Sequence, residues 1–259
     1  MSLAQALASR RRCGFIPFIT AGDPSLAATA RYVRTLAEAG ADIIELGVPF
    51  SDPMADGPTI QAADQRALKS KTTLLKVLAL VVKLRRGGLK TPIVLFTYLN
   101  PILALGHGAF ARLCAKSGVD GVLMVDLPVE EAGGLLSALK KNGVESVLLA
   151  SPTSSDERLK AIGRASGSIV YYVSREGVTG ARRGLSAGLA ARVRLVRRLT
   201  GKPLIVGFGV STAQQARLLS KVADGVVVGS ALVAAAALSG NAGLKRLSRR
   251  LVAGLGGTC

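Results

Sequence analysis

The stretch DIIELGV, residues 42–48, carries charge only at its first and fourth positions. Successive side chains of a strand point to opposite faces, so Glu45 shares a face with Ile43 and stands opposite Ile44 and Leu46. Apolar residues on both faces mark a strand covered on both sides, the habit of parallel sheets flanked by helices. Seven more runs of this kind recur along the chain: GFIPFIT from Gly14, PIVLFTY from Pro92, GVLMVDL from Gly121, SVLLAS from Ser146, SIVYYVS from Ser168, PLIVGFG from Pro203 and GVVVGS from Gly225.

Amphipathic stretches separate the runs and predict helices over 26–39, 60–86 in two pieces, 109–117, 130–142, 156–166, 189–199, 212–222 and 244–252. Asp23-Pro24-Ser25, Ser154-Ser155-Asp156 and Ser211-Thr212 precede three of them, where short side-chain oxygens can satisfy the orphan N–H groups of a first turn. Ser2 with Gln5 forms a capping box for one extra N-terminal helix. Eight strand-then-helix units in 259 residues predict an α/β fold of one domain, a closed (β/α)8 TIM barrel, with 253–259 as a loose tail. An open doubly wound sheet is the alternative.

Composition narrows the function. Hydrophobic residues make up 49% of the chain and charged ones 19%, which excludes intrinsic disorder. Lys and Arg number 34 against 16 Asp and Glu, a net +18 that points to anionic company: nucleic acid, an acidic protein or a phosphorylated substrate. Aromatics are only 4% with no Trp, which leaves few stacking platforms and disfavours nucleic acid. From Arg182 onward the cations face a single acid, Asp224, and this basic third, including Arg192, Arg194, Arg197 and Arg198, reads as a solvated helical surface. Cys13, Cys114 and Cys259 are odd in number and far apart, which suggests neither a disulfide framework nor a metal site and fits a reduced cytoplasmic setting. The single histidine, His107, lies between Gly106 and Gly108 and reads as a loop residue. The N-terminus lacks the order of a secretory signal, and no run is continuous enough to span a membrane.

In a barrel, chemistry belongs where the strands stop, at the C-terminal mouth. Glu45 interrupts an apolar run, a costly place for a charge without a purpose or partner. If the Ile44 and Leu46 face meets the helices, Glu45 points into the mouth, where apolar walls would raise its pKa into acid/base range. Asp52 and Asp56, in PFSDPMADGP at 49–58, have ordinary turn chemistry, and the segment is a lid candidate. The seventh and eighth runs end in Gly207-Phe208-Gly209 and Gly229-Ser230, where small residues let backbone N–H groups approach an anion at a helix start. The polar, glycine-punctuated loop at 174–184 can close over a substrate. No nucleotide-binding fingerprint occurs.

The stretch IELGVPFSDPMADGPTIQ, residues 44–61, closely resembles the signature of the tryptophan synthase alpha chain family. FIPFITAGDP, TYLNP, DGVLMVDLPVEEA, YYVSREGVTGAR, GFGVS and GSALV resemble the same family's other blocks in the same order. The resemblance implies retro-aldol cleavage of indole-3-glycerol phosphate to indole and glyceraldehyde 3-phosphate. It also implies an alpha2-beta2 assembly in which indole passes to a beta chain that carries pyridoxal phosphate, with no cofactor or metal on this chain. By motif, Glu45 is the general acid/base and Asp56 holds the indole N–H. Phe18, Tyr98, Leu99, Leu123, Asp126, Leu127 and Tyr171 line the indole pocket, and Thr179 orients Asp56. Gly180, Phe208, Gly209, Gly229 and Ser230 complete the phosphate side. The +18 charge departs from the family's habit. It keeps two other readings open: a lone indole-releasing lyase, and a non-catalytic anion-binding or nucleic-acid-binding barrel.

Overall fold

The computed structural model describes residues 1–9, 12–173, 187–207 and 209–256. Its strands are β1 (Gly14–Thr20), β2 (Ile44–Gly47), β3 (Ile93–Thr97), β4 (Gly121–Met124), β5 (Glu145–Ala150), β6 (Val170–Val173), β7 (Leu204–Gly207) and β8 (Gly225–Val228). They pair in parallel in sequence order, and β8 closes on β1. After α1 (Leu3–Ala8), the helices on the outside are α2 (Leu26–Glu38), α3 (Pro58–Lys69), α4 (Leu74–Arg86), α5 (Leu99–Leu103), α6 (His107–Ser117), α7 (Gly133–Lys141), α8 (Asp156–Ala165), α9 (Ala187–Thr200), α10 (Ala213–Leu219) and α11 (Ser230–Leu255). No helix among the described residues is long and apolar enough to cross a membrane.

The two-faced apolar runs do what their pattern requires. Ile44 and Leu46 join Val33 and Leu36 of α2 and Val77 and Val81 of α4 in the core between barrel and helices. Ile43 joins Ile16, Val94, Val147, Ile169, Ile205 and Val227 inside the barrel. Gly225 is part of that inner packing, since a Cβ there would come within 2.4 Å of Ile16 Cδ1. Leu3 and Leu7 of α1 close the bottom of this cluster, and the helix is held by its capping box and by the Leu3 N–H donating to Glu145 Oε1 at 2.9 Å. Ser25, Ser155 and Thr212 are N-caps of α2, α8 and α10.

Three acids just before strands repeat one brace at the N-terminal end of the barrel. Asp42, Asp120 and Asp224 accept from the backbone N–H of Phe15, Ile93 and Leu204 on the neighbouring strands, each at 2.7 Å. Each also pairs with an arginine: Arg12, Arg85 and Arg197.

Four local expectations need correction. α6 starts at His107 itself, with Gly106 turning the chain at φ +77°, so the histidine opens a helix rather than sitting in a loop. The short α5 follows β3 directly, where no helix was expected. α11 breaks at Ser239 and Gly240 and then runs on to a fully buried Leu255, three residues into the expected tail. The basic face of α9 is not uniformly solvated: Arg192 donates to the carbonyls of Pro152 and Ser154, while Arg197 holds Asp224. Alanine at the exposed Arg194 and Arg198 is therefore expected to leave the thermal midpoint almost unchanged. Arg192→Ala or Arg197→Ala strands hydrogen-bonding partners at a cost of about 1 kcal/mol and is expected to lower it by roughly 2–4 °C, as read by thermal melts.

Candidate active site

The mouth of the barrel opens on a cavity of about 230 Å³, lined by Phe18, Glu45, Asp56, Ile60, Phe96, Tyr171, Val173, Gly207, Gly209, Val227, Gly229 and Ser230. Glu45 reaches it for the reason its parity gave: the opposite face of β2 is taken by the helices. Register places Glu45 between Phe18 on β1 and Val94 on β3. Its side chain is 1% exposed, and neither carboxyl oxygen has a hydrogen-bond partner among the described residues. A carboxylate so enclosed loses its hydration with nothing in return, so burial lifts its pKa to about 8. At neutral pH Glu45 carries a proton it can give away.

Asp56 comes from the β2–α3 loop. Gly57 is the N-cap of α3 and Pro58 occupies its first turn, which stops the loop one residue after Asp56. The Tyr98 hydroxyl, at the end of β3, donates to Asp56 Oδ2 at 2.7 Å and accepts from the Ala55 N–H at 3.1 Å. The Tyr98 ring stacks on Phe50 at the other end of the loop, centroids 4.9 Å apart. Gln61 Nε2 donates to the Asp56 carbonyl at 2.9 Å. Burial raises the Asp56 pKa, and the Tyr98 hydrogen bond opposes the rise. Two carboxyls with different surroundings thus face one cavity with aromatic walls.

Phe18 and Phe96 meet edge to face at 5.1 Å and wall the cavity. Tyr171 stands across the mouth, where a Cβ on Gly207 would come within 2.2 Å of its hydroxyl. Its pKa is raised by burial and by the charges of Glu45 and Asp56, which keeps it a hydroxyl donor. On the far side, Gly209 adopts φ +62°, and Gly229 is the N-cap of α11 with no side chain closing that helix end. Helix N-termini of this kind favour anions.

The structure brings Phe18, Glu45, Asp56, Tyr171, Gly209, Gly229 and Ser230 together, with Tyr98 as the partner of Asp56 rather than a cavity wall. Leu99, Leu123, Asp126 and Leu127 are not brought to this cavity. Leu123 is buried in the inner barrel cluster, Leu99 opens α5 with its N–H donating to Asp126 at 2.8 Å, and Asp126 and Leu127 line a neighbouring cavity toward α8. Thr179, Gly180 and Phe208, and the loop at 174–184, lie outside the described residues. Sequence reasoning missed Ile60, Phe96, Val173 and Val227. Phe96 follows Val94 on the inner face at period two, and Ile60 falls one helical turn after Asp56, so both carried a usable signal.

The closed parallel barrel and the cavity at its C-terminal mouth place the chain among the (β/α)8 barrels, whose active sites sit at that end. The profile of the tryptophan synthase alpha chain family matches residues 4–252. The chain is 50% identical to the tryptophan synthase alpha chain of Caulobacter sp. (strain K31) over 88% of this chain and 83% of that one. It is 49% identical to that of Pelobacter propionicus over 96% and 93%. Among solved structures, the tryptophan synthase subunit alpha of Legionella pneumophila matches with a TM-score of 0.90 at 36% identity, over 98% of this chain and 96% of that one. A chain of the tryptophan synthase a2b2 complex of Pyrococcus furiosus matches at 0.86 and 42% identity, over 93% and 98%. The chain belongs to the tryptophan synthase alpha chain family, carbon–carbon lyases that cleave indole-3-glycerol phosphate in tryptophan biosynthesis.

Proposed function

We propose that Glu45 and Asp56 carry this cleavage in the roles their surroundings suit them for. The observation that carries the reading is the buried carboxyl of Glu45, unpartnered among the described residues, its pKa raised to about 8, facing the cavity at the mouth. Glu45 gives its proton to indole C3. The ring becomes an indolenine cation, and Asp56, held by Tyr98, stabilises the charge through the indole N–H. The bond from C3 to the glycerol carbon then breaks toward the ring as the adjacent hydroxyl returns a proton to Glu45, leaving indole and the aldehyde. The acid is regenerated, so the step needs no cofactor on this chain.

Phe18, Phe96, Ile60 and Tyr171 suit a flat apolar ring, while Gly209, Gly229 and Ser230 suit the phosphate. A Cβ at Gly229 would meet nothing nearer than Phe18 at 3.5 Å, so alanine fits there. Gly229→Ala is expected to stay near wild type, whereas Gly229→Asp sets a carboxylate against the phosphate. The Asp variant is expected to raise KM on the order of 10²-fold with binding of free indole little changed. Equal loss of both ligands would point to a disturbed β8 instead.

We infer that the partner is the pyridoxal-phosphate beta chain and that the two chains work in the cytoplasm. The a2b2 relative supports the first and the buried thiol of Cys114 the second. An indole-release assay tests the whole reading: a synthase subunit is slow alone and accelerates when its beta chain is added. A lone lyase is fast by itself, and a binding protein releases none.

A further inference from the structure

Gln61 closes the signature stretch 44–61, and the proposed steps leave it unused. It stands near the start of α3, next to Ile60, which is buried and walls the cavity. Its backbone N–H is taken by the Gly57 carbonyl at 3.0 Å, so the side-chain amide is free for another role. The amide nitrogen Nε2 donates to the Asp56 carbonyl at 2.9 Å and reaches the Pro53 carbonyl at 3.4 Å. Only the NH2 end of an amide can face two carbonyls, and its two N–H groups match the two acceptors. Pro53 and Asp56 are the two ends of a turn that the Asp56 N–H closes on the Pro53 carbonyl at 3.0 Å. Gln61 thus fastens both ends of that turn to α3.

We propose that Gln61 is a positioning residue for Asp56: its side-chain amide ties the turn at 53–56 to α3 and so sets where the Asp56 carboxylate stands in the cavity.

The make-up of the turn supports this. Met54 is 87% exposed and Ala55 is exposed too, so apolar packing does little to fix the backbone that carries Asp56. Polar contacts have to do it, and they come from two elements. The Tyr98 hydroxyl, at the end of β3, takes the Ala55 N–H and holds the Asp56 carboxyl, while Gln61, on α3, holds the carbonyls. With one of the two grips gone the turn can pivot, and a catalytic group displaced by about 1 Å loses up to roughly 10²-fold in rate. Gln61 is not among the residues that line the cavity, so its effect passes through Asp56.

The proposal rests on the catalytic reading of Asp56, so the test has one arm that does not depend on activity. Gln61→Met keeps the side-chain length and the helix propensity but has no donor. In the unliganded protein, amide exchange at the Asp56 N–H, read by NMR, should quicken roughly 3- to 10-fold in this variant, because the turn opens more often. Exchange at Leu46 and Leu95, in the core strands, should stay as in wild type. Unchanged exchange at Asp56, or an equal rise at all three amides, overturns the proposal.

In the second arm, Gln61→Met should lower kcat for indole release roughly 3- to 10-fold with KM little changed. In an Asp56→Ala background the same substitution should change kcat by less than about twofold, since no carboxylate is left to position. An equal loss in both backgrounds overturns the positioning role, as does full kcat in the single variant. Gln61→Glu, nearly isosteric and without a donor once ionised, supplies the same comparisons if the methionine variant folds poorly. Full activity of Asp56→Ala would instead sink the catalytic reading of Asp56 while leaving the exchange arm intact.

Discussion

Replacing Glu45 by glutamine is expected to lower indole release by roughly 10²- to 10⁴-fold, which is about 3–5 kcal/mol of barrier, with KM little changed. Glutamine keeps the volume between Phe18 and Val94 but can neither deliver the proton to C3 nor take one back. The same change has the opposite effect on stability. The folded-state pKa of Glu45 is raised to about 8, so the wild-type protein binds the proton more tightly folded than unfolded. Its stability falls as pH rises from the ordinary carboxylate range to about 8, and glutamine removes that slope. The variant should match wild type at pH 4 and be more stable at pH 9 by a few kcal/mol, on the order of what such a shift represents. A variant that keeps more than half of wild-type activity refutes the acid/base role. One that is dead yet shows no pH-dependent gain refutes the buried, unpartnered carboxyl. The pH profile offers a check without mutation: kcat/KM should decline above about pH 8 as Glu45 loses its proton.

Glu45 could be read from the sequence because a charge inside a strand with two apolar faces needs either an ion-pair partner on a neighbouring strand or a place at the mouth, and the described residues offer it no partner. The barrel was legible for the same reason, since strands buried on both faces announce themselves as unbroken apolar runs. Strand ends were less so: DIIELGV contributes only Ile44–Gly47 to the sheet, because pairing depends on where β1 and β3 offer partners. The helix α5 is five residues long and contains Pro101, too short for a periodic signal. Ile60 and Phe96 satisfied the rule for core residues, and nothing local separates a core wall from a cavity wall.

Asp56→Ala is expected to lower kcat by roughly 10²- to 10³-fold, the scale for losing a group aimed at charge that develops in the transition state. Asp52, four residues earlier, is the contrast. It is exposed, its carboxyl takes the hydroxyl of its neighbour Ser51, and its place in the loop is that of a turn residue. Asp56 instead is held across 42 positions of sequence by the Tyr98 hydroxyl, a contact no local pattern could announce. Turn composition makes the two aspartates look alike, and only the position of Tyr98 at the end of β3 distinguishes them. Asp52→Ala should therefore keep most of the turnover. Tyr98→Phe should fall between the two, because it removes the hydroxyl but leaves the stacking on Phe50 that anchors the loop. Without that hydroxyl the Asp56 pKa rises further, so the Tyr98→Phe defect should be largest at low pH and shrink as pH increases. Single-turnover indole release across pH reads all three variants. If Asp52→Ala proves more damaging than Asp56→Ala, the charge stabiliser is the exposed carboxylate, and the Tyr98 contact serves only to shape the loop.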